Sequence, residues 1–289
     1  MRSSRNLRRI RRGFVFTERD RVILRLVHDH RFLTRSHLQR LLDWKCTSRI
    51  NLRLRALFDA QFLDRRFVPV LRGSSPAVYI IGKSAVATLS GESGVSESRL
   101  ERHRHQDKRY SDAFMRHALA VSELAVAMRA VTHDESNVRW LTWLNDRTLI
   151  EECNGSVAVN GNTLKPDGYG RYAISDKVYN FFLELDTGSE SISRIRRKLE
   201  YYRSFLASGA FRDRFGMRAF RVLIVTLTKR RAQSLVRALN GPERPRTWIG
   251  ELAVVVKSPL FASAWYPVGR LQKVSLHDAP NREHGSGAA

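Results

Sequence analysis

Residues 165–202 read KPDGYGRYAISDKVYNFFLELDTGSESISRIRRKLEYY, and this stretch decides the fold. Tyr169 to Ile174 and Val178 to Leu185 are rich in aromatic and β-branched residues on either side of a short polar turn, which predicts a hairpin. Ser191 then opens a helix that runs to Ala207. Side chains alternate across a strand, so Glu184 and Asp186 leave its end on the same face. On the helix Arg194, Lys198 and Tyr202 stand at i, i+4 and i+8, and share one face. Asp167 sits where the first strand begins. Three carboxylates converging from neighbouring strands repel one another unless a cation lies between them, and hard oxygen ligands suit Mg²⁺ or Mn²⁺. Such an ion polarises a phosphodiester and activates a water or hydroxyl. Asp167, Glu184 and Asp186 are therefore the candidate metal ligands, and Lys198 is placed to stabilise charge on a transferring phosphate.

Outward from this segment, strands and helices alternate. Val138 to Leu144, Ala219 to Leu227 and Ile249 to Val256 read as strands, and Lys229 to Leu239 reads as a helix. Ser111 to Val131 predicts a long amphipathic helix carrying His117 and Glu123. His117 reads either as a hydrogen-bonded core histidine or as part of the site. Glu123 reads either as a solvated helix residue or as one more acidic ligand. A mixed α/β domain with a central sheet follows.

Towards the N-terminus the pattern changes. Thr17 caps a helix from Glu18 towards His30, Thr34 caps a second that buries Leu38, Leu41 and Leu42, and Thr47 or Ser48 opens a third that ends near Phe62. Leu63 to Leu71 and Ala77 to Ile81 flank a Gly/Ser/Pro turn and predict a hairpin. Three helices and a hairpin read as a winged helix-turn-helix. Its third helix stores Ile50, Leu54, Leu57 and Phe58 on one face and places Arg49, Asn51, Arg53 and Arg55 elsewhere, where they can face a major groove. Arg65, Arg66 and Arg72 on the hairpin complete the candidate contacts to double-stranded DNA. The boundaries expected are a basic arm over 1–15, the winged helix over 16–92, a linker over 93–108, an α/β domain over 109–275 and a disordered tail over 276–289.

Composition agrees with a polyanionic partner. The 289 residues hold 51 Lys+Arg against 28 Asp+Glu, a net charge of +23. Residues 1–72 hold 19 Lys+Arg against 6 Asp+Glu, a net of +13. No run of eighteen uncharged apolar residues predicts a spanning helix. The arginines from Arg2 to Arg12 lack the apolar run of a secretory signal and the Trp/Phe/Leu face of a membrane-surface helix, so the chain reads as cytoplasmic with no membrane partner. Cys46 and Cys153 stand too far apart in sequence for a zinc motif. No phosphate loop appears, and ATP use has no support.

Pro166-Asp167-Gly168 followed by Glu184-Leu185-Asp186 resembles the strand motifs of restriction-endonuclease-like nucleases. Asp186 stands where those motifs carry lysine, and Lys198 on the helix is the residue that supplies the charge in variants of that superfamily. Lys198-X-X-X-Tyr202 is similar to the Gln-X-X-X-Tyr spacing of the exonuclease-like branch. Over Phe16 to about Val256 the chain resembles the plasmid replication-relaxation family. The resemblance rests on the Thr17-Glu-Arg-Asp helix start, Arg53-Leu-Arg-Ala-Leu57, Val78-Tyr79, Arg116-His-Ala-Leu119, the acidic motifs and Lys198 to Tyr202. It implies a restriction-endonuclease-like second domain, action on plasmid or mobile-element DNA, and site-directed nicking by Asp167, Glu184, Asp186, Lys198, Tyr202 and His117. Other replication or relaxosome proteins are the further partners it implies, and a homodimer is left open. The alternative is a non-catalytic DNA-binding regulator or relaxosome accessory, favoured by the missing motif lysine.

Overall fold

The computed structural model describes residues 7–9, 13–70, 73–152, 157–159, 162–239 and 246–277. The first helices are α1 (Glu18–His30), α2 (Arg35–Leu41) and α3 (Thr47–Asp59). Strands β1 (Leu33–Thr34), β2 (Leu63–Phe67) and β3 (Ala77–Ile81) pair antiparallel in the order β1-β3-β2. Thr17 and Asp20 close the start of α1, with the Thr17 amide donating to Asp20 Oδ2 at 2.7 Å. The Thr34 hydroxyl accepts the His37 amide and starts α2. These caps satisfy amides that the first turn of a helix leaves orphaned. Ile23, Val27, Leu38, Ile50, Leu54, Leu57 and Leu63 bury completely against one another.

Next come α4 (Ala85–Ser93) and α5 (Glu97–Arg109). The segment expected as a linker is thus largely helical. Its polar composition conceals the fact that Leu100 joins the first core while His103, Arg104 and Asp107 are buried with charged partners.

The remaining elements are α6 (Asp112–Asp134), β4 (Val138–Asn145), α7 (Asp146–Glu152), β5 (Val157–Val159), β6 (Asn162–Leu164), β7 (Gly168–Ile174), β8 (Lys177–Asp186), α8 (Ile192–Ala207), α9 (Ala210–Phe215), β9 (Arg221–Thr226), α10 (Lys229–Ala238), β10 (Arg246–Glu251), α11 (Leu252–Val255) and β11 (Trp265–Pro267). Six strands form one mixed sheet in the order β11-β10-β9-β8-β7-β4. Strands β8, β9 and β10 run parallel, joined by helical crossovers, and the outer pairings are antiparallel. The strand expected over Ile249–Val256 ends at Glu251, where the chain turns into α11. Of the tail expected over 276–289, Leu276 is buried and His277 bonds Tyr172; residues 278–289 lie outside the described ones.

Alternation along β8 sets both faces of the sheet. Phe181, Leu183 and Leu185 pack with Val121, Leu124 and Met128 of α6. Phe182 packs on the opposite face with Ile195, Tyr202 and Phe205 of α8 and Ala232 and Leu235 of α10. Glu184 shares this second face, so its carboxylate leaves the backbone into an apolar layer. The glycine after Asp167 has a steric cause: a Cβ on Gly168 would lie 2.3 Å from the Trp143 ring.

The helical module and the sheet domain share packing. Val126 of α6 joins the module's core, and His30 stacks on Trp143 with centroids 5.9 Å apart. Arg31, held at φ 65°, bonds Asp107 at 3.0 Å and Asp146 at 2.6 Å while buried. None of the described helices is long and apolar enough to cross a membrane.

Candidate active site

The site is built where β8 ends beside the start of β7. The Asp167 amide donates to the Leu183 carbonyl at 3.0 Å, extending the β7–β8 ladder by one residue. Its carboxylate turns back to accept the Leu185 amide through Oδ2 at 2.7 Å. From α6, His117 Nε2 lies 3.3 Å from the Leu185 carbonyl and 3.5 Å from Asp167 Oδ2. Burial works against charge on His117, but the hydrogen bond and negative charge of Asp167 outweigh it and raise its pKa.

Glu184 is 5% exposed. Ser191 caps α8 by accepting the Arg194 amide, and this sets the helix so that Lys198 and Tyr202 face β8. Lys198 Nζ donates to Glu184 Oε2 at 2.8 Å, and the Tyr202 hydroxyl donates to Oε1 at 2.6 Å. Lys198 also reaches Glu190 at 3.0 Å. Burial and then the charge of Asp167 push the Glu184 carboxyl up to about 7, although Lys198 and Tyr202 pull the other way. Burial opposes the Lys198 charge, but Glu184 and Glu190 overcome it and raise its pKa. Burial and the neighbouring Glu184 charge hold the Tyr202 phenol well above its ordinary range, so it is a donor and not a phenolate nucleophile.

Asp186 shares the face of Glu184 but not its surroundings. Its Oδ2 accepts Arg231 Nε at 2.6 Å and its Oδ1 accepts the Gly188 amide at 2.7 Å. Among the described residues, no three His, Cys, Asp or Glu side chains gather as ligands for one ion. Of the expected ligands Asp167, Glu184 and Asp186, the last is paired with the guanidinium of Arg231 and so stands apart from the other two. Arg231, at the start of α10, carries no motif that marks it in the sequence. Glu123 is likewise paired: His37 at 2.7 Å and Arg40 hold it, and these bonds lower its pKa to about 2.

The expected DNA contacts divide. Arg49 and Asn51 are exposed on α3, next to the exposed Leu52. Arg53 turns inward to the fully buried Asp20 and bonds the Val15 carbonyl. Arg55 bonds Asp59 and the Leu7 carbonyl. Arg65 lies 3.6 Å over the Phe58 ring, and burial lowers its pKa. Arg66 binds the Lys108 and Tyr110 carbonyls and Asp112. These four are committed to the fold; Arg72 lies outside the described residues.

The family described as Replication-relaxation matches residues 24–219. No curated protein matches the chain. Among solved structures, the restriction endonuclease FokI is similar with 11% identity and a TM-score of 0.25, covering 85% of this chain. The chain spans 44% of that endonuclease, a likeness too loose to place any residue.

Proposed function

The chain belongs to the replication-relaxation family, and from that premise we propose that it acts on plasmid or mobile-element DNA, nicking it at a site built from Asp167, Glu184 and Lys198. The observation that carries this reading is the Glu184 carboxyl, buried, gripped by Lys198 and Tyr202, and pushed up to about 7 in part by Asp167. The Glu184 carboxyl and the Asp167 carboxylate offer hard oxygens of the kind a divalent cation would take. Asp167 and Glu184 would hold Mg²⁺ or Mn²⁺; Asp186 is spent on Arg231. Held there, the ion would supply Lewis acidity at the phosphate and a more acidic water.

The chain's own groups do the rest. Lys198 carries three N–H donors, of which Glu184 and Glu190 engage two, leaving one for charge developing on the phosphate. Tyr202 fixes the Glu184 rotamer, and His117 orients the Asp167 carboxylate. The helical module brings double-stranded DNA to the site, with Arg49 suited to guanine or phosphate and Asn51 to adenine.

The test is conversion of supercoiled replicon DNA to nicked circles with Mg²⁺ or Mn²⁺, with DNA binding measured in parallel. Wild-type protein nicks, while Asp167→Asn and Glu184→Gln bind without nicking. Nicking retained by both variants overturns the reading. One observation favours a second: both oxygens of Glu184 and both of Asp186 already have partners within the chain. A non-catalytic DNA-binding platform follows from that closed network. It predicts function that survives both substitutions and no nicking by the wild type.

A further inference from the structure

We propose that the cavity at the N-terminal ends of β8, β9 and β10 is a phosphate-binding site, separate from the carboxylate cluster. The cavity holds about 570 Å³, and its walls include Tyr179, Asn180, Arg218, Phe220, Arg221 and Arg246. No carboxylate is among its described lining residues. Arg221 and Arg246 are register partners on adjacent parallel strands. Like charges placed side by side across a sheet are destabilising unless something neutralises them. Several other arginines have such partners: Arg31 has Asp107 and Asp146, Arg53 has Asp20, and Arg231 has Asp186. Here the fold supplies none among the described residues.

Arg221 is also held in place. Its guanidinium lies 4.7 Å from the Tyr179 ring centroid and 5.1 Å from that of Trp248. Its Nη1 donates to the Tyr172 hydroxyl at 3.1 Å and lies 2.6 Å from His277 Nε2. Burial and the adjacent Arg221 charge lower the His277 pKa to about 3, so the imidazole is neutral and accepts. A guanidinium fixed between ring faces keeps its remaining N–H donors in a set direction, the geometry that phosphate oxygens match. Leu206, near the end of α8, also lines the cavity, but a helix C-terminus carries about half a negative charge against three whole positive ones. From Tyr179 to Glu184 the strand advances five residues, about 16 Å at ~3.3 Å each. The two sites therefore cannot share one phosphate.

Phosphate presents the same chemistry on a nucleic-acid strand and on a small anion, and two measurements on the full chain separate them. The first is the salt dependence of binding to labelled duplex and single-stranded DNA in EDTA, compared between wild type and Arg218→Ala/Arg246→Ala. Both side chains are exposed, so the substitution spares the core. Losing two phosphate contacts flattens the slope of log K against log salt by about 1.4–1.8. The matched control, Arg99→Ala/Arg102→Ala on the exposed side of α5, removes the same charge and changes the slope less. Arg218→Lys/Arg246→Lys retains the slope. The second is calorimetric titration with pyrophosphate. Loss of pyrophosphate binding in the alanine pair with an unchanged DNA slope supports the site and assigns it to a small anion. No change in either measurement, or an equal change in the control pair, overturns the proposal. The readout contains no divalent metal, so it stands or falls apart from nicking.

Discussion

The two ends of β8 carry opposite imbalances of charge. At its C-terminal end Glu184 meets Asp167 and is pushed up to about 7 despite Lys198 and Tyr202. At its N-terminal end Arg221 meets Arg246 and Arg218 around a cavity without an acid among its described lining residues. Asp186 and Arg53 show the ordinary outcome, a charge matched inside the fold by Arg231 and Asp20. Net charge therefore says little about where a ligand binds. What matters is the charge left over after the fold has matched what it can.

The largest effect expected follows from the acidic end. Glu184→Gln keeps one acceptor oxygen, for Lys198, turns an amide NH2 towards the Tyr202 hydroxyl, and removes the charge; the proposed nicking should fall by about 100-fold, the upper end of what loss of a metal-orienting group costs. Stability supplies an independent check. Relative to its ordinary 4.5, the folded carboxyl at about 7 favours the protonated form. Its contribution to stability is full below about 4.5 and is lost as pH rises through 7. Unfolding followed from pH 5 to 8 should show this slope in wild type and a flatter one in Glu184→Gln. Added Mg²⁺ should raise the unfolding temperature at pH 8 in wild type and not in Asp167→Asn. A Mg²⁺ response equal in both proteins would break the contrast between the unmatched end and the matched Asp186.

Next in size is a pair of substitutions on α3 that resemble each other only in sequence. Arg53→Ala strips the partner from a fully buried Asp20 and should cost about 3 kcal/mol of stability, measured by denaturant unfolding. Arg49→Ala touches no described carboxylate and should leave stability within about 0.5 kcal/mol. It should weaken DNA binding by about 1–2 kcal/mol, read from titrations at one salt concentration. If Arg53→Ala weakened binding without destabilising the fold, its inward pairing would not be the dominant state in solution.

Arg53 also marks the limit of what the sequence discloses. The helix spacing of Ile50, Leu54 and Leu57 is periodic, so the core face of α3 is legible, as are the hairpin ending in Glu184-Leu-Asp186 and the helix bearing Lys198 and Tyr202. Whether an arginine beside that face points outward depends on Asp20, thirty-three positions away and brought close only by packing. The same holds for Asp186, whose neighbour Arg231 lies forty-five residues on, in another crossover. Helix α5 was hidden for a related reason. Its polar residues look like a solvated linker until Arg31 and Glu151 arrive as partners for Asp107 and His103. Local periodicity carries the elements, whereas long-range pairing decides which charges remain available.

His30 gives the smallest effect and a third outcome for a polar group inside the fold. It is 3% exposed, both ring nitrogens lack a partner among the described residues, and burial lowers its pKa to about 3. Here the fold neither matches a charge nor leaves one for a ligand; it keeps the group neutral. Because the folded pKa lies below the ordinary 6.5, the contribution to stability is full above 6.5 and is lost as pH falls towards 3. Each unit below 6.5 costs about 1.4 kcal/mol, so acidification from pH 6.5 to 5.5 should destabilise wild type by roughly 1 kcal/mol through this residue. His277 shifts in the same direction, so the useful quantity is the difference between wild type and His30→Phe. Phenylalanine keeps the ring beside Trp143 and has a cavity of about 180 Å³ next to it. Equal acid sensitivity in both proteins would mean that His30 finds a partner in solution, and that the interface between module and sheet opens enough to let water reach it.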